Sequence, residues 1–266
     1  MEPRLVIETR DARGVTTLTL HRPGLHNAFD DTLIAQLQER LEHAAHDEAC
    51  RIIVLAAEGK SFSAGADLAW MKRMAGAGHE ANLDDARRLA RLMHTLDQLR
   101  VPTVARVQGA AFGGGVGLIA CCDVAIAAAP AVFALSEVRL GLIPSVISPY
   151  VVRAVGPRVA RRLFLTAERF GAQEALRIGL VHAVVKTDQL DVAVERVLCE
   201  LLEGGPSAQA EAKKLVREIA GRPIDDALLD DTAERIARLR ASQEGREGLG
   251  AFLERRKPAW AAGRDA

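Results

Sequence analysis

The sequence predicts an α/β protein, and three observations carry that prediction. Apolar runs of strand length alternate with segments of helical period, glycine-rich loops follow the buried runs, and the apolar content is almost wholly aliphatic. Hydrophobic residues make up 49% of the chain and aromatic ones only 4%, so Ala, Val, Leu and Ile must pack the core. At 266 residues there is room for one large domain and a small appendage. The 35 basic and 35 acidic residues balance, which removes the broad positive field of a nucleic-acid or anionic-membrane binder. Any polyanionic ligand has to be met locally.

Residues 5–7 and 15–20 are apolar or alternating around a turn at 11–14, the pattern of a β-hairpin. From 30 to 45 the residues Leu33, Ile34, Leu37 and Leu41 recur at helical spacing behind acidic residues, which predicts an amphipathic helix. A buried strand follows at 52–56, then a small-residue loop at 61–68. Residues 76–82 read as a polar, Gly-containing mobile segment, and 84–99 as a helix. The strand 103–107 leads into Gly109, Gly113, Gly114, Gly115 and Gly117, and a second apolar strand lies at 124–128. Strand, glycine-rich loop and helix therefore recur, as in a βα-layered core. From 188 onward the pattern is helical, with breaks near Gly204-Gly205-Pro206 and Gly221. These breaks divide the chain into a core of 1–205 and a helical region of 206–266.

The first ten residues carry charges where a secretory signal has its apolar stretch, and no apolar run reaches membrane-spanning length. A soluble cytoplasmic protein is the expectation. Cys50, Cys121, Cys122 and Cys199 lack metal-ligand spacing and read as buried thiols. The seven histidines are scattered, with no pair at metal-binding spacing and no hydrolase triad, and His21, His26 and His182 read as surface or turn residues.

Glycines placed after a strand and before a helix bring several N–H groups to a helix N-terminus, where an anion or oxyanion can sit. Close helix-to-strand packing explains the same residues, and the run lacks the spacing of a dinucleotide fingerprint. The combination of motifs is more specific. SAGAD at 63–67, VQGAAFGGG at 107–115, Cys122-Asp123 and FALSEVRLGLIP at 133–144 resemble, in order and spacing, the crotonase (enoyl-CoA hydratase/isomerase) family. Arg22-Pro23, Asn27-Ala28, AQEA at 172–175 and GLVH at 179–182 extend the resemblance over most of the chain.

The resemblance implies a crotonase-type ββα spiral core with a C-terminal helical region, assembled as a homotrimer or a dimer of trimers. It implies an acyl-CoA thioester as substrate, coenzyme A being part of that substrate, with no separate cofactor and no metal. Two backbone N–H groups, at positions matching Ala66 and Gly114, would hold the thioester oxygen. The coenzyme would lie along 25–28 and 64–68, including Leu25, Ala28, Ala64, Asp67 and Leu68, with Phe252 and Arg255 closing over the nucleotide. Two aligned donors in a dry site stabilise an enolate oxygen by several kcal/mol, about 3 for each donor. Asp67 also has a local reading, as the N-cap of a helix beginning at Leu68, and 255–257 as a short solvated basic cluster.

Hydratases of this family usually pair two glutamates. The second matches Glu137, but the first falls on Gly117, which has no side chain to ionise. Three readings follow. Glu137 alone handles the protons, with the space freed at Gly117 admitting a branched acyl group or a substrate carboxylate; or Glu137 shuttles a proton between carbons, as in a double-bond isomerase; or the fold only binds acyl-CoA. The stretch IPSVISPYVVR at 143–153 is similar to bacterial hydratases of 3-methylglutaconyl-CoA or carboxygeranoyl-CoA, which serve leucine and branched terpenoid breakdown. In that case Arg139, or the hydroxyls of Ser145, Ser148 and Tyr150, would help to hold the extra carboxylate, ordinary capping or surface solvation being the other reading of each. The expected activity is hydration of a short or branched enoyl-CoA.

Overall fold

The computed structural model describes residues 3–261, so Met1 and Glu2, and residues 262–266 of the expected helical region, lie outside it. β1 (Val6–Arg10) and β2 (Val15–Leu20) form the predicted antiparallel hairpin, Val6 opposite Leu20. α1 (Asp31–His46) begins at Asp30, whose carboxylate accepts from Leu33 N–H at 2.8 Å. Leu33, Ile34, Leu37, Leu41 and Ala44 form its buried stripe.

Three times in succession a long strand is followed at once by a short one. The pairs are β3 (Ile52–Ala57) with β4 (Ser61–Ser63), β5 (Thr103–Val107) with β6 (Ala110–Phe112), and β7 (Val124–Ala128) with β8 (Val132–Ala134). Helices close each unit: α2 (Leu68–Ala75) with α3 (His79–Gln98), then α4 (Gly114–Cys121), then α5 (Ser148–Thr166). β9 (Phe170–Gly171), α6 (Ala172–Arg177) and β10 (Ala183–Val185) come next.

The long strands lie in one six-stranded sheet, β1-β2-β3-β5-β7-β10, parallel from β2 to β10, and the short strands in a second sheet, β4-β6-β8-β9. A chain that visits both sheets in turn and advances one strand each time winds as a spiral, which is the expected ββα architecture. Successive turns touch through backbone. A side chain on Gly109, between β5 and β6, would overlap the carbonyl of Lys60 in the turn before it.

All six residues of β3 are buried, because both faces of the large sheet are covered. Ile53, Leu55 and Ala105 point into the main core against α1, α3 and α4, while Ile52, Val54, Val104 and Ile126 point into a second core. That second core is closed by α7 (Leu190–Glu203) through Leu190, Val194, Leu198 and Leu202. Each such aliphatic side chain contributes roughly 1.5–3 kcal/mol on burial. Cys50, Cys121 and Cys122 are buried as expected, but Cys199 is exposed: it stands beside Leu198, off the four-residue stripe that α7 turns inward.

The chain then runs into α8 (Pro206–Ile219), α9 (Asp226–Ala241) and α10 (Gln243–Leu253). No residue of α8 is buried, and α9 and α10 bury one each, Leu228 and Ala251. One local expectation is corrected. Residues 76–82 are not an open loop, since α3 begins at His79 and Gly76 ends α2. The Asn82 side chain donates to the carbonyls of Met74, Ala77 and Gly78, which satisfies the end of one helix from the first turn of the next.

Candidate active site

The short strands β4, β6 and β8 are parallel neighbours, Ser63 pairing with Ala111 and Phe112 with Ala134. Their C-terminal ends therefore open on one side of the small sheet. Ala66 follows β4, Gly114 follows β6 and Glu137 follows β8, so residues far apart in sequence meet at one edge. Crevices at the carboxyl ends of parallel strands are the usual place for ligands in α/β folds.

Ala66 forms an isolated parallel bridge with Phe29. Phe29 N–H donates to Gly65 O at 2.7 Å and Asp67 N–H donates to Phe29 O at 2.8 Å. In such a bridge the flanking groups bond Phe29, so the N–H of Ala66 itself points away from it. It meets no acceptor among the described residues. Gly113 takes φ 50° and ψ −115°, a backbone state that favours glycine, and its N–H is used by Ala134 O at 3.0 Å. The hydrogen-bonding of α4 starts only with Gly117 N–H donating to Gly113 O, which leaves the Gly114 N–H free at the positive end of the helix.

Phe29 supports both donors. Its backbone brackets Ala66, and its ring lies against Gly114, where a methyl group would stand 3.0 Å from Cε2. Sequence reasoning missed this residue; the signal would have been a buried aromatic directly after Asn27-Ala28. Arg22 joins the same assembly, pairing with Asp30 at 3.0 Å and Asp67 at 3.2 Å and donating to Ala28 O at 3.0 Å. Asp67 caps α2 by accepting from Trp70 N–H at 3.0 Å, as its position predicts. Both carboxylate oxygens of Asp67 thus have partners within the fold.

Glu137 opens a short 3-10 turn, Glu137–Leu140, that ends at Gly141 with φ 72°. Its carboxyl lies over Gly113, where a Cβ would stand 2.9 Å from Oε1. The group is half-buried, and Oε2 is enclosed with no hydrogen-bond partner among the described residues. Burial pushes its pKa above the ordinary carboxylate range, against a smaller opposing effect of its own backbone N–H. A carboxyl that holds its proton unusually well and has a spare oxygen is suited to proton transfer.

Gly117 corrects an expectation. Its missing side chain does not leave room for substrate, because a Cβ there would overlap the Ile147 side chain, 2.9 Å from its Cβ, and lie 3.3 Å from Met93 Cε. The space is filled by protein. Segments 25–28 and 64–68 do lie side by side, joined by Ala64 N–H donating to His26 O at 3.0 Å. Asn27 locks this strip, accepting from Arg22 N–H and donating to the carbonyls of Glu58 and Ser61. Ala28 is buried within the strip, Ala64 is partly covered, and Leu25 and Leu68 are exposed along it, Leu68 at 82%.

Phe252 lies in the last turn of α10 and Arg255 just beyond it, and α10 packs on α8 and α9. Phe252 is 80% exposed, and the neighbouring Arg256 is taken by Glu247 and Glu254. Ser148 Oγ donates to Ser145 O, and Tyr150 carries the Arg153 guanidinium over its ring at 5.6 Å, while Arg139 is exposed with no ion pair among the described residues. No cluster of three or more metal-ligating side chains, and no helix long and apolar enough to cross a membrane, occurs among the described residues.

Known proteins resemble this chain over nearly its whole length. The family described as enoyl-CoA hydratase/isomerase matches residues 10–263. A crystal structure of an enoyl-CoA hydratase from Shewanella pealeana superimposes with a TM-score of 0.94 at 50% identity, covering 97% of this chain and 96% of that one. Crotonyl-CoA hydratase of Syntrophomonas wolfei is 32% identical over 95% of this chain and 96% of its own length. The 2,3-dehydroadipyl-CoA hydratase of Escherichia coli is 33% identical over 95% of this chain and 97% of its own.

Proposed function

The chain belongs to the enoyl-CoA hydratase/isomerase family, and from that premise we propose that it is an enzyme adding water to α,β-unsaturated acyl-CoA thioesters. The observation that carries the reading is the Glu137 carboxyl, half-buried, with an oxygen unpartnered among the described residues, lying against Gly113, the residue before the free N–H of Gly114. The thioester oxygen accepts from Ala66 N–H and Gly114 N–H. Glu137 takes a proton from water as the hydroxyl bonds to the β-carbon, and the electron pair of the double bond moves onto the thioester oxygen as an enolate. The same carboxyl then returns its proton to the α-carbon, so water is added and Glu137 is regenerated. The reverse sequence dehydrates a 3-hydroxyacyl-CoA.

Leu25, Ala28, Ala64 and Leu68 form the strip for the coenzyme, with Phe252 and Arg255 as further contacts to its nucleotide. Short or branched acyl groups are the favoured class, 3-methylglutaconyl-CoA among them. Unpaired Arg139, two residues beyond Glu137, supports a distal carboxylate. A cytoplasmic homotrimer or dimer of trimers completes the reading.

The test incubates the protein with crotonyl-CoA and 3-methylglutaconyl-CoA in labelled water, following loss of conjugated-thioester absorbance and gain of product mass. Water addition is the expected result. Isotope exchange or double-bond movement alone would show an isomerase, which the single carboxylate also permits, and binding without turnover would show an acyl-CoA carrier. Glu137→Gln is expected to keep acyl-CoA binding and lose at least about 100-fold in turnover. A near-normal rate in that variant would remove Glu137 from the chemistry.

A further inference from the structure

Gly113, Gly114 and Gly115 are glycine for different reasons. Gly113 holds a positive φ of 50°, and a Cβ on Gly115 would stand 2.7 Å from the carbonyl oxygen of Ser63. Gly114 is under neither constraint. Its φ lies outside the left-handed region, and the three atoms beyond its own helix nearest to a Cβ there all belong to the Phe29 ring: Cε2 at 3.0 Å, Cδ2 at 3.2 Å and Cζ at 3.6 Å. Phe29 is 2% exposed, so its ring cannot swing out into solvent to make room. The backbone of the same residue is tied to the other donor loop, Phe29 N–H donating to Gly65 O and Asp67 N–H donating to Phe29 O on either side of Ala66. Asp30, next in the chain, caps α1 and fixes Phe29 from behind.

Resting on the hydratase reading above, we infer that Phe29 is the positioning residue that sets the spacing of the two oxyanion donors. Its main chain fixes the loop that carries the Ala66 N–H, and its ring fixes how closely the first turn of α4, with the Gly114 N–H, approaches that loop. The ring is buried and acts through Gly114. Both donors have to aim at one oxygen, and their effect depends on distances of about 2.7–3.1 Å to the place where its charge develops. A smaller side chain lets α4 settle toward the loop, so the aim is lost while each N–H remains. The loss falls on the transition state more than on binding, because the hydrogen bonds of Arg22 and Asn27 that hold the coenzyme strip do not involve the ring.

The test compares wild type, Phe29→Leu, Gly114→Ala and the double variant. It reads kcat and KM for crotonyl-CoA hydration, and the absorbance of bound cinnamoyl-CoA, a conjugated thioester whose band moves to the red when its carbonyl accepts hydrogen bonds. Wild type is expected to shift the band. Phe29→Leu is expected to shift it less and to lose about 10-fold in kcat with KM changed by no more than about 2-fold. In Gly114→Ala the new methyl group meets the ring and both readouts fall. In the double variant that methyl occupies the space the ring has left, and kcat is expected to stand at least about 3-fold above the product of the two single effects, as for residues in contact. Should Gly114→Ala fail to fold, Phe29→Leu alone decides. An unchanged band shift and kcat in folded Phe29→Leu overturn the inference and leave the hydratase reading standing, as does a double variant whose losses simply multiply. A band shift that depends on Phe29 in a protein that hydrates no enoyl-CoA keeps the inference and overturns the hydratase reading. Wild type with no band shift overturns the donor pair and this inference with it.

Discussion

Glu137 is held where water reaches it only in part, and its proton is bound more tightly in the folded chain than in the unfolded one. Between the ordinary carboxylate pKa and the raised one, the folded state carries the extra proton, so stability contributed at this position falls as pH rises through that window. Glu137→Gln is accordingly expected to be more stable than wild type at about pH 8 and nearly equal to it at about pH 4, as read by urea unfolding. The same displacement moves the acid limb of kcat/KM above the ordinary carboxylate range, because the base form starts the reaction. A limb at the ordinary value would remove the effect of burial. Glu137 was legible from its motif, whereas the filling of Gly117 was not. Ile147 reaches that position from another element, and helical periodicity within α4 carries no trace of a neighbour arriving from outside.

At the scale of elements, β4 and α4 are locked through backbone. A Cβ on Gly115 would stand 2.7 Å from the carbonyl oxygen and 3.0 Å from the Cβ of Ser63, so neither partner can yield without moving a strand. Gly115→Ala is expected to destabilise the protein by about 1–3 kcal/mol, measured by urea unfolding, and to lower kcat more than it raises KM, since β4 also leads to Ala66. Arg22 supplies the second lock, with one guanidinium between the caps of α1 and α2. Arg22→Ala leaves two mostly covered carboxylates without their counter-charge and is expected to cost about 3 kcal/mol by the same measurement. Element type was legible wherever periodicity was strong, as in α1 and β3. The start of α3 was hidden because Gly78 and the polar residues after it have loop-like composition, and the three bonds made by Asn82 are visible only once α2 ends beside it.

Over the whole molecule, the spiral gathers parts that the sequence separates: each of the three strand ends belongs to a different turn, and only stacked turns assemble the set. The helices that follow bury little within the chain, leaving Val216, Leu229, Ile236, Leu249 and Leu253 exposed. Apolar surface on successive helices is expected to be covered by further copies, and light scattering should return the mass of three or six chains. A monomer at working concentration would contradict the proposed assembly. The main-chain origin of the proposed donors has a consequence for saturation mutagenesis. Ala66 is already alanine, and replacing its methyl group leaves its N–H in place, so a scan would score the position as tolerant. Proline alone deletes the donor, without breaking any hydrogen bond that N–H makes inside the protein. Ala66→Pro should stay folded and lose at least about 100-fold in turnover. In a mutational map of this chain, indispensability at such a position is written as a single intolerant letter in an otherwise permissive column.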